Sequence, residues 1–508
     1  MNISGKNFIG DKLSGDGKAY YKTINPSKNI ENEIEFVEAT SNELEQAIEL
    51  ADTAFPIYRE LPGRKRADFL KSIADEILNL GDDLINIYCL ETGLPTGRAI
   101  GERGRTIFQL KLFASIIETE NWRKNINEEA IPERVPRPKP SLSKTHIPLG
   151  PIVVFGASNF PLAYSTAGGD TASALAVGCP VIVKSHPMHS GTGSIIASAI
   201  IKASKKTGMP NGVFSNINSK SYDLSHELVK HPKIKAIGFT GSYSGASALN
   251  ESVLKRKEKI PFFAEMGSVN PIAIAESALE KVDKKMLQML AGSISLGAGQ
   301  FCTQPGLLLV TESKYTDRFV KDLDKTLKEV DAQCMIHPSL KKNYIYQSDK
   351  IKNLKGVIEI QANNNELDDN LVHPKLYMVS GNDFIANSEF QEEVFGPFSL
   401  IVKCKDLNEM ERVIKNLEGQ LTGSIFAKES DFKQIIPLIQ VFKVKVGRLL
   451  FNDVPTGVEV SEAMTHGGPY PASSDSRFSA VGPNSIYRWV RPITYQNWPK
   501  ELIVKLIH

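Results

Sequence analysis

The feature that most constrains this chain is a series of short apolar runs that alternate with helical stretches between residues 151 and 240. Four runs have the length of buried strands, at residues 152–155, 181–183, 213–214 and 236–239. Parallel strands that are covered on both faces are continuously apolar, and crossover helices join them. The pattern therefore predicts βαβ units and a parallel sheet. A second α/β stretch runs from about residue 265 to 447.

Length and composition indicate the broad class of protein. A chain of 508 residues is too long for a single core, so we expect about two or three domains. The 60 basic and 58 acidic residues give a formal charge of +2, which provides no electrostatic reason to expect nucleic acid or a membrane surface as partner. No apolar run is long enough to span a bilayer, and residues 1–15 lack the apolar core of a secretory signal.

The five cysteines are scattered and have neither disulfide nor zinc spacing, which favours a reducing cytoplasm. His186 and His189 are the closest pair of histidines, but no cysteine or carboxylate lies near them in the sequence. We therefore expect a cytoplasmic protein without a metal site.

Cys302 lies in a run of small and polar residues, from Gly297 to Gly306. Small residues allow a ligand to approach the sulfur, whereas a structural cysteine lies more often among Leu, Val and Ile. A single cysteine is nevertheless more often a small core residue than a nucleophile. The surrounding run makes Cys302 the candidate nucleophile.

Three more polar residues follow predicted strands. The amide of Asn159 is a candidate donor to an oxyanion, and Lys184, which Ser185 follows, can reach a ribose or phosphate above the sheet. Glu265 ends an apolar run, where burial can raise the pKa of a carboxylate so that it acts as a general base. The alternatives are a turn residue, a surface lysine and a strand-end charge.

Two further motifs are candidates for binding a nucleotide. Gly241 and Ser242 join a strand to a helix, where free N–H groups and the helix dipole favour a phosphate. This is not the dinucleotide fingerprint, so a tight turn is an equal alternative. Glu393 precedes Phe395 and a Gly-Pro turn, and its carboxylate can accept hydrogen bonds from both hydroxyls of a ribose, unless it is only a surface charge.

The order and spacing of these residues resemble the NAD(P)-dependent aldehyde dehydrogenase superfamily over nearly the whole chain, from residue 25 to about 492. The most specific matches are residues 301–306, 265–271 and 393–397. Residues 101–106, 184–187 and 468–473 resemble one branch. That branch contains 2,5-dioxovalerate (α-ketoglutarate semialdehyde) dehydrogenases and the NADP-dependent fatty-aldehyde enzymes of luminous bacteria.

The resemblance implies a covalent mechanism. The Cys302 thiolate attacks the aldehyde to form a thiohemiacetal, and hydride transfer to the nicotinamide leaves a thioester. Asn159 and the backbone N–H of Cys302 hold the oxyanion, and Glu265 activates the water that hydrolyses the thioester. The cofactor-binding residues that the resemblance implies are Lys184, Ser185, Gly241, Ser242, Gly267, Glu393 and Phe395.

The cofactor that the resemblance implies is NADP, with NAD as an alternative. Pro187 stands where many NAD-preferring relatives have a glutamate that binds the adenosine ribose. Without that carboxylate, a 2′-phosphate meets less repulsion. A CoA-acylating enzyme is a further alternative, but such relatives often lack the base that Glu265 provides.

The predicted substrate is 2,5-dioxovalerate, which would be oxidised to 2-oxoglutarate. Arg105, on a predicted helix over residues 99–116, and Arg477 are candidates to hold its distal carboxylate. In the alternative, these arginines only brace the scaffold, and Phe160 and Phe451 line an apolar tunnel for fatty or aromatic aldehydes.

The fold implied is the aldehyde dehydrogenase fold, an α/β architecture of three parts. We expect a Rossmann-like cofactor domain, an α/β catalytic domain and a small β oligomerisation ribbon in a homodimer or homotetramer. The predicted ranges are 1–133 and 149–264 for the cofactor domain, with a return segment at about 447–484, then 265–446 for the catalytic domain, and 134–148 with 485–508 for the ribbon.

Overall fold

The structure is a computed structural model that describes residues 3–360 and 370–507. Residues 1–2, 361–369 and 508, which belong to the predicted cofactor, catalytic and ribbon ranges, lie outside the described residues. The strands are β1 (Asn7–Ile9), β2 (Lys12–Ser14), β3 (Tyr20–Asn25), β4 (Ile30–Val37), β5 (Ile126–Glu128), β6 (Leu142–Pro148), β7 (Ile152–Phe155), β8 (Val181–Ser185), β9 (Phe214–Asn218), β10 (Ala236–Thr240), β11 (Phe262–Glu265), β12 (Ile272–Ile274), β13 (Leu307–Thr311), β14 (Gln333–Cys334), β15 (Ile358–Glu359), β16 (Leu371–Val372), β17 (Lys375–Ser380), β18 (Phe398–Cys404), β19 (Gln420–Phe426), β20 (Val446–Phe451) and β21 (Val490–Gln496).

The helices alternate with these strands through most of the chain. They are α1 (Ser41–Tyr58), α2 (Gly63–Asn79), α3 (Gly81–Thr92), α4 (Thr96–Glu118), α5 (Gly169–Val177), α6 (Ser190–Thr207), α7 (Tyr222–Lys230), α8 (Tyr243–Leu254), α9 (Glu276–Glu280), α10 (Lys284–Ser295), α11 (Thr316–Lys328), α12 (Pro338–Lys352), α13 (Gly381–Ala386), α14 (Leu407–Asn416), α15 (Phe432–Lys445) and α16 (Lys500–Ile507). No helix in the described ranges is long and apolar enough to cross a membrane.

The first sheet has the order β11-β10-β7-β8-β9-β1-β2. Strands β7 to β11 are parallel, and β1 is antiparallel to β9. All four residues of β7 are buried, because helices cover both faces of the sheet. The predicted parallel sheet is therefore confirmed, and its carboxyl edge holds the chain segments that follow β7, β8, β10 and β11.

The second sheet has the order β15-β17-β18-β13-β12-β19-β20. It extends past the boundary predicted at residue 446, because β20 pairs in parallel with β19 along its whole length. The prediction missed this strand because an edge strand is only partly covered, and β20 therefore lacks a continuous buried apolar run. Beyond β20, the chain returns to the first sheet, where Met266 N donates to Ala472 O at 2.9 Å.

A small antiparallel sheet joins β5, β6 and β21. Strand β6 lies within the predicted ribbon range 134–148, β21 comes from the predicted tail, and β5 lies before both ranges. The division into three domains and the role of this sheet in assembly stay predictions.

Candidate active site

The loop that carries Cys302 joins α10 to β13 and has an unusual backbone. Gly297, Ala298 and Gly299 have φ angles of 58°, 56° and 64°, in the left-handed region that favours glycine. A Cβ atom on Gly299 would lie 2.3 Å from the carbonyl carbon of Gly396. Glycine is therefore required at this position, and the cysteine loop packs directly on the turn that follows Glu393.

The side chain of Asn270 holds the cysteine loop in place through hydrogen bonds to its backbone. Its Nδ2 atom donates to the carbonyl oxygens of Cys302 and Gln304, at 2.8 and 2.9 Å. The Nε2 atom of Gln304 donates in turn to Phe398 O at 2.6 Å. A buried carbonyl without a donor would cost about 1–3 kcal/mol, so these amides stabilise the loop and hold Cys302 in one orientation.

Cys302, His466 and Glu265 form a chain of contacts. The Sγ atom of Cys302 lies 3.4 Å from His466 Nε2, and His466 Nδ1 lies 3.0 Å from Glu265 Oε2. The side chains of His466 and Glu265 are 3% and 10% exposed. His466 is held by its backbone, because its N–H donates to Ser479 Oγ at 3.0 Å and its carbonyl accepts from Ala480 N at 2.8 Å.

The charges and burial of Cys302, His466 and Glu265 favour proton transfer between them. Burial raises the pKa of Glu265, while the hydrogen bond from His466 opposes that rise. Burial alone would lower the pKa of His466, but Tyr164, Cys302 and Glu265 together raise it well above its usual value. A protonated imidazole beside a sulfur stabilises a thiolate, so His466 can take a proton from the nucleophile.

Asn159 lies beside the cysteine loop, and its Nδ2 atom donates to Gln300 O at 2.9 Å. The segment after Asn159 is held by Glu102 on α4, whose Oε1 accepts from Leu162 N and Ala163 N at 2.8 and 2.9 Å. This buried carboxylate therefore fixes the backbone that carries the amide. The structure places Asn159 against the loop that carries Cys302, and its role as an oxyanion donor stays a prediction.

Phe160 lies against the same loop. Its ring packs edge-on against Phe301, with centroids 5.3 Å apart. The guanidinium of Arg98 lies 4.4 Å from the Phe160 centroid and 4.6 Å from that of Phe301. The wall beside Cys302 is therefore aromatic and is stacked on an arginine that pairs with Glu102 at 3.4 Å, which the sequence did not indicate.

The four residues predicted at the phosphate side lie along the carboxyl edge of the first sheet. Lys184 and Ser185 end β8, and Ser242 caps α8 by accepting from Gly245 N at 3.2 Å. Gly241 N donates to Glu265 O at 3.1 Å, which links this junction to β11. Burial lowers the pKa of Lys184 to about 8. An exposed helix N-terminus and a nearby lysine suit a phosphate.

Gly267 follows β11 of the first sheet, and Glu393 and Phe395 precede β18 of the second sheet. Glu393 Oε1 accepts from Ser268 N at 3.4 Å, and a Cβ atom on Gly267 would lie 2.3 Å from Glu393 Oε2. Glycine thus allows the carboxylate to approach the backbone after β11. Burial raises the pKa of Glu393 to about 7. Phe395 is partly buried two residues beyond it.

Of the predicted substrate residues, Arg105 lies near Cys302 and Arg477 does not. The Nη2 atom of Arg105, in the confirmed helix α4, donates to Tyr164 Oη at 3.3 Å. The Tyr164 ring lies 5.9 Å from that of His466. The side chain of Arg477 is 80% exposed and is paired with Asp475, as the scaffold alternative requires. Because Asp475 is only two residues before Arg477 in the sequence, this pairing is local and does not bring Arg477 to the site.

Phe451 ends the edge strand β20 and is 50% exposed. It packs edge-on against Phe432 at 5.9 Å, rather than against the aromatic wall beside Cys302. Of the two phenylalanines that were predicted to line an apolar tunnel, only Phe160 is therefore found at the cysteine loop.

This site and the two sheets around it agree with a comparison against protein families. Residues 13–476 match the aldehyde dehydrogenase family. The chain belongs to this family and is an NAD(P)-dependent enzyme that oxidises aldehydes, so the class predicted from its motifs is confirmed.

Two curated relatives agree with the predicted branch. The chain is 43% identical to alpha-ketoglutaric semialdehyde dehydrogenase 2 of Azospirillum brasilense, over 99% of this chain and 96% of the relative. It is 40% identical to alpha-ketoglutaric semialdehyde dehydrogenase of Acinetobacter baylyi, over 98% and 95%.

Solved structures share the fold at low sequence identity. A 1-pyrroline-5-carboxylate dehydrogenase from Thermus, with bound NAD, has a TM-score of 0.81 at 20% identity and covers 97% of this chain and 92% of its own. A betaine aldehyde dehydrogenase from Staphylococcus aureus, in complex with NAD⁺, has a TM-score of 0.82 at 19% identity, over 98% and 99%. The predicted aldehyde dehydrogenase fold is confirmed.

Proposed function

We propose that this protein oxidises 2,5-dioxovalerate (α-ketoglutarate semialdehyde) to 2-oxoglutarate through a covalent intermediate on Cys302. The observation that carries the chemistry is the chain Cys302–His466–Glu265, with contacts of 3.4 and 3.0 Å. The choice of substrate is supported by the two relatives that are at least 40% identical over nearly the full chain.

The first step is attack of sulfur on the aldehyde carbon. His466 Nε2 takes the proton of Cys302, and Glu265 holds the resulting imidazolium through Nδ1. The negative charge that develops on the aldehyde oxygen is held by the Asn159 amide and the Cys302 N–H. In the structure the Asn159 amide is bound to Gln300 O, two residues before Cys302, which supports this role.

The predicted cofactor-binding residues would hold a dinucleotide. The N-terminus of α8 and Lys184 would suit the phosphates, and the Glu393 carboxylate, which approaches the backbone at Gly267, would suit a ribose. When bound, the nicotinamide accepts the hydride from the aldehyde carbon. Phe395, two residues after Glu393, would pack beside the cofactor.

The last step is hydrolysis of the thioester. Glu265 is the buried carboxylate beside Cys302, and burial raises its pKa, which makes it a stronger base than an exposed glutamate. It takes a proton from the attacking water while His466 returns a proton to the sulfur that leaves. The products are the free carboxylate and the Cys302 thiol.

The substrate assignment is tested by comparing kcat/KM for 2,5-dioxovalerate, glutarate semialdehyde, hexanal and a long-chain aldehyde. We expect the acidic aldehydes to be preferred, with 2-oxoglutarate as the product from the first. Equal or better efficiency with the uncharged aldehydes would contradict the substrate, and formation of acyl-CoA instead of the free acid would contradict hydrolysis.

NADP is expected to be used at least as well as NAD, because Pro187 brings no carboxylate to the adenosine ribose. The measurement is kcat/KM for each cofactor at saturating aldehyde. A preference for NAD of about a hundredfold, or about 2.7 kcal/mol, would contradict this assignment.

A matched variant identifies the group responsible for any preference for NAD. Glu38 interacts electrostatically with Lys184 and accepts from Ser219 Oγ at 3.3 Å. Replacing Glu38 with glutamine removes a negative charge near Lys184, so the NADP/NAD efficiency ratio should rise. A ratio that falls would show that Glu38 does not repel the 2′-phosphate.

Replacing His466 with glutamine should move the acid limb of the kcat profile to higher pH. The His466 hydrogen bond and charge lower the pKa of Glu265 against the effect of burial, so their loss raises that pKa further. As the pH falls, Glu265 is then protonated, and stops acting as a base, at a higher pH than in the wild type. The measurement is kcat between about pH 5 and 9 for both proteins, and an acid limb that moves to lower pH would contradict the contact.

A further inference from the structure

Two arginines, one on a helix and one on a strand, bind the same short segment. Arg448, on β20 of the second sheet, donates from Nη1 to Gly457 O at 2.8 Å and from Nη2 to Pro455 O. Arg105, on α4 beside the first sheet, donates from Nη1 to Val458 O. Because Gly457 and Val458 are adjacent in the chain, the two guanidiniums bind the same short segment, which we call the turn.

This turn is close to the nucleophile. Arg105 contacts the hydroxyl of Tyr164 at 3.3 Å, the Tyr164 ring lies 5.9 Å from that of His466, and His466 contacts Cys302 at 3.4 Å. Arg448 also interacts with this cluster: burial lowers its pKa, whereas the charges of Cys302, Asp453 and Tyr164 raise it. Arg105 is therefore linked to Cys302 through Tyr164 and His466, and Arg448 shares its segment, residues 455–458, with Arg105.

Neither guanidinium forms a direct ion pair with any residue that the structure describes. In the described ranges, no carboxylate lies within 4.0 Å of Arg448 or Arg105, whereas Arg488 is paired with Asp170 at 2.6 Å. The buried Nε of Arg105 has no hydrogen-bond partner in the part of the chain that the structure describes. A guanidinium has five N–H donors, and the hydrogen bonds to the turn and to Tyr164 leave several of them on each arginine free.

We propose that Arg448, together with Arg105, binds the distal carboxylate of the aldehyde substrate and sets the preference for acidic aldehydes. This inference rests on the proposed function and adds a residue that sequence reasoning did not identify. A carboxylate is a planar anion that accepts two parallel hydrogen bonds from a guanidinium. The apolar chain of a fatty aldehyde at the same place would displace water from the two guanidiniums and offer them no hydrogen-bond acceptor. Fatty aldehydes are therefore disfavoured.

The test compares 2,5-dioxovalerate with pentanal, which has the same number of carbons and no charge. We expect Arg448→Gln to lower the ratio of kcat/KM for the two aldehydes by at least about tenfold, mainly through KM for the acid. Arg448→Lys keeps the charge without the planar fork, so its ratio should be intermediate, and Arg105→Gln should lower the ratio as well. Arg477→Gln, at an exposed arginine with its own partner, should leave the ratio as it is in the wild type.

Inhibition by glutarate, with pentanal as substrate, separates binding of a carboxylate from bracing of the turn. Loss of carboxylate binding weakens glutarate inhibition in Arg448→Gln, whereas a loosened turn lowers kcat for both aldehydes and leaves inhibition unchanged. An unchanged ratio and unchanged inhibition in both Arg448 variants would overturn the proposal. A fall in the ratio with Arg477→Gln alone would also do so.

The two proposals fail in different ways. If the wild type does not prefer 2,5-dioxovalerate to pentanal, the substrate assignment under the proposed function is wrong. Glutarate inhibition that still depends on Arg448 would then support the carboxylate site. Conversely, if Arg448→Gln keeps a strong preference for 2,5-dioxovalerate, the proposed function stands and Arg448 does not bind the substrate carboxylate.

Discussion

Replacing Cys302 with alanine should reduce aldehyde oxidation by roughly a millionfold, to the background rate, because removal of a nucleophile leaves no covalent route. The loop should keep its shape, since Asn270 contacts the carbonyl oxygen of Cys302 rather than its side chain. Cofactor affinity, measured by calorimetry, should therefore be nearly unchanged while formation of reduced cofactor is lost.

Cys89 provides the matched control for this substitution. It is a partly buried, free cysteine on α3, outside the cluster around His466. Cys89→Ala should retain wild-type turnover. Wild-type turnover in Cys302→Ala would mean that another residue is the nucleophile, and loss of activity in both variants would point to a general effect of cysteine substitution.

Replacing Glu265 with glutamine should slow steady-state turnover by roughly a hundredfold to ten-thousandfold, the usual range for loss of a general base. The amide retains a contact with His466 but cannot take a proton from water. Hydride transfer precedes hydrolysis, so a stopped-flow trace should show one burst of reduced cofactor followed by slow turnover.

Glu258 is a suitable control for the loss of a carboxylate. It is exposed and paired with Lys235 at 2.8 Å, between β10 and β11 but away from Cys302. Glu258→Gln should show neither a burst nor a slower steady state. Unchanged steady-state turnover in Glu265→Gln would show that another group activates the water.

The features that could be predicted from the sequence are those that depend on neighbouring residues in the chain. Gly297 and Gly299 are needed because the backbone around them is left-handed and crowded, so the run around Cys302 made it a candidate that the other motifs of the chain then supported. The parallel sheet was predictable for a similar reason, since full burial makes each strand continuously apolar.

The parts that were missed depend on contacts between distant segments. His466 meets Glu265 across 201 residues of chain, and no feature near Thr465 or Gly467 indicates that contact. Arg448 lies on an edge strand whose partial exposure hides it from a search for apolar runs. Arg477 was placed at the substrate from its position in a loop, but its local pairing with Asp475 directs it to solvent.

The central claim is that the aldehyde carbon becomes bonded to the sulfur of Cys302 and is released by water that Glu265 activates. The most direct measurement is the mass of the peptides from Glu265→Gln, quenched in acid after mixing with 2,5-dioxovalerate and cofactor. We expect one 2-oxoglutaryl group on the peptide that contains Cys302, together with one equivalent of reduced cofactor. A full burst of reduced cofactor with an unmodified Cys302 peptide, or with the acyl group on another residue, would contradict this mechanism.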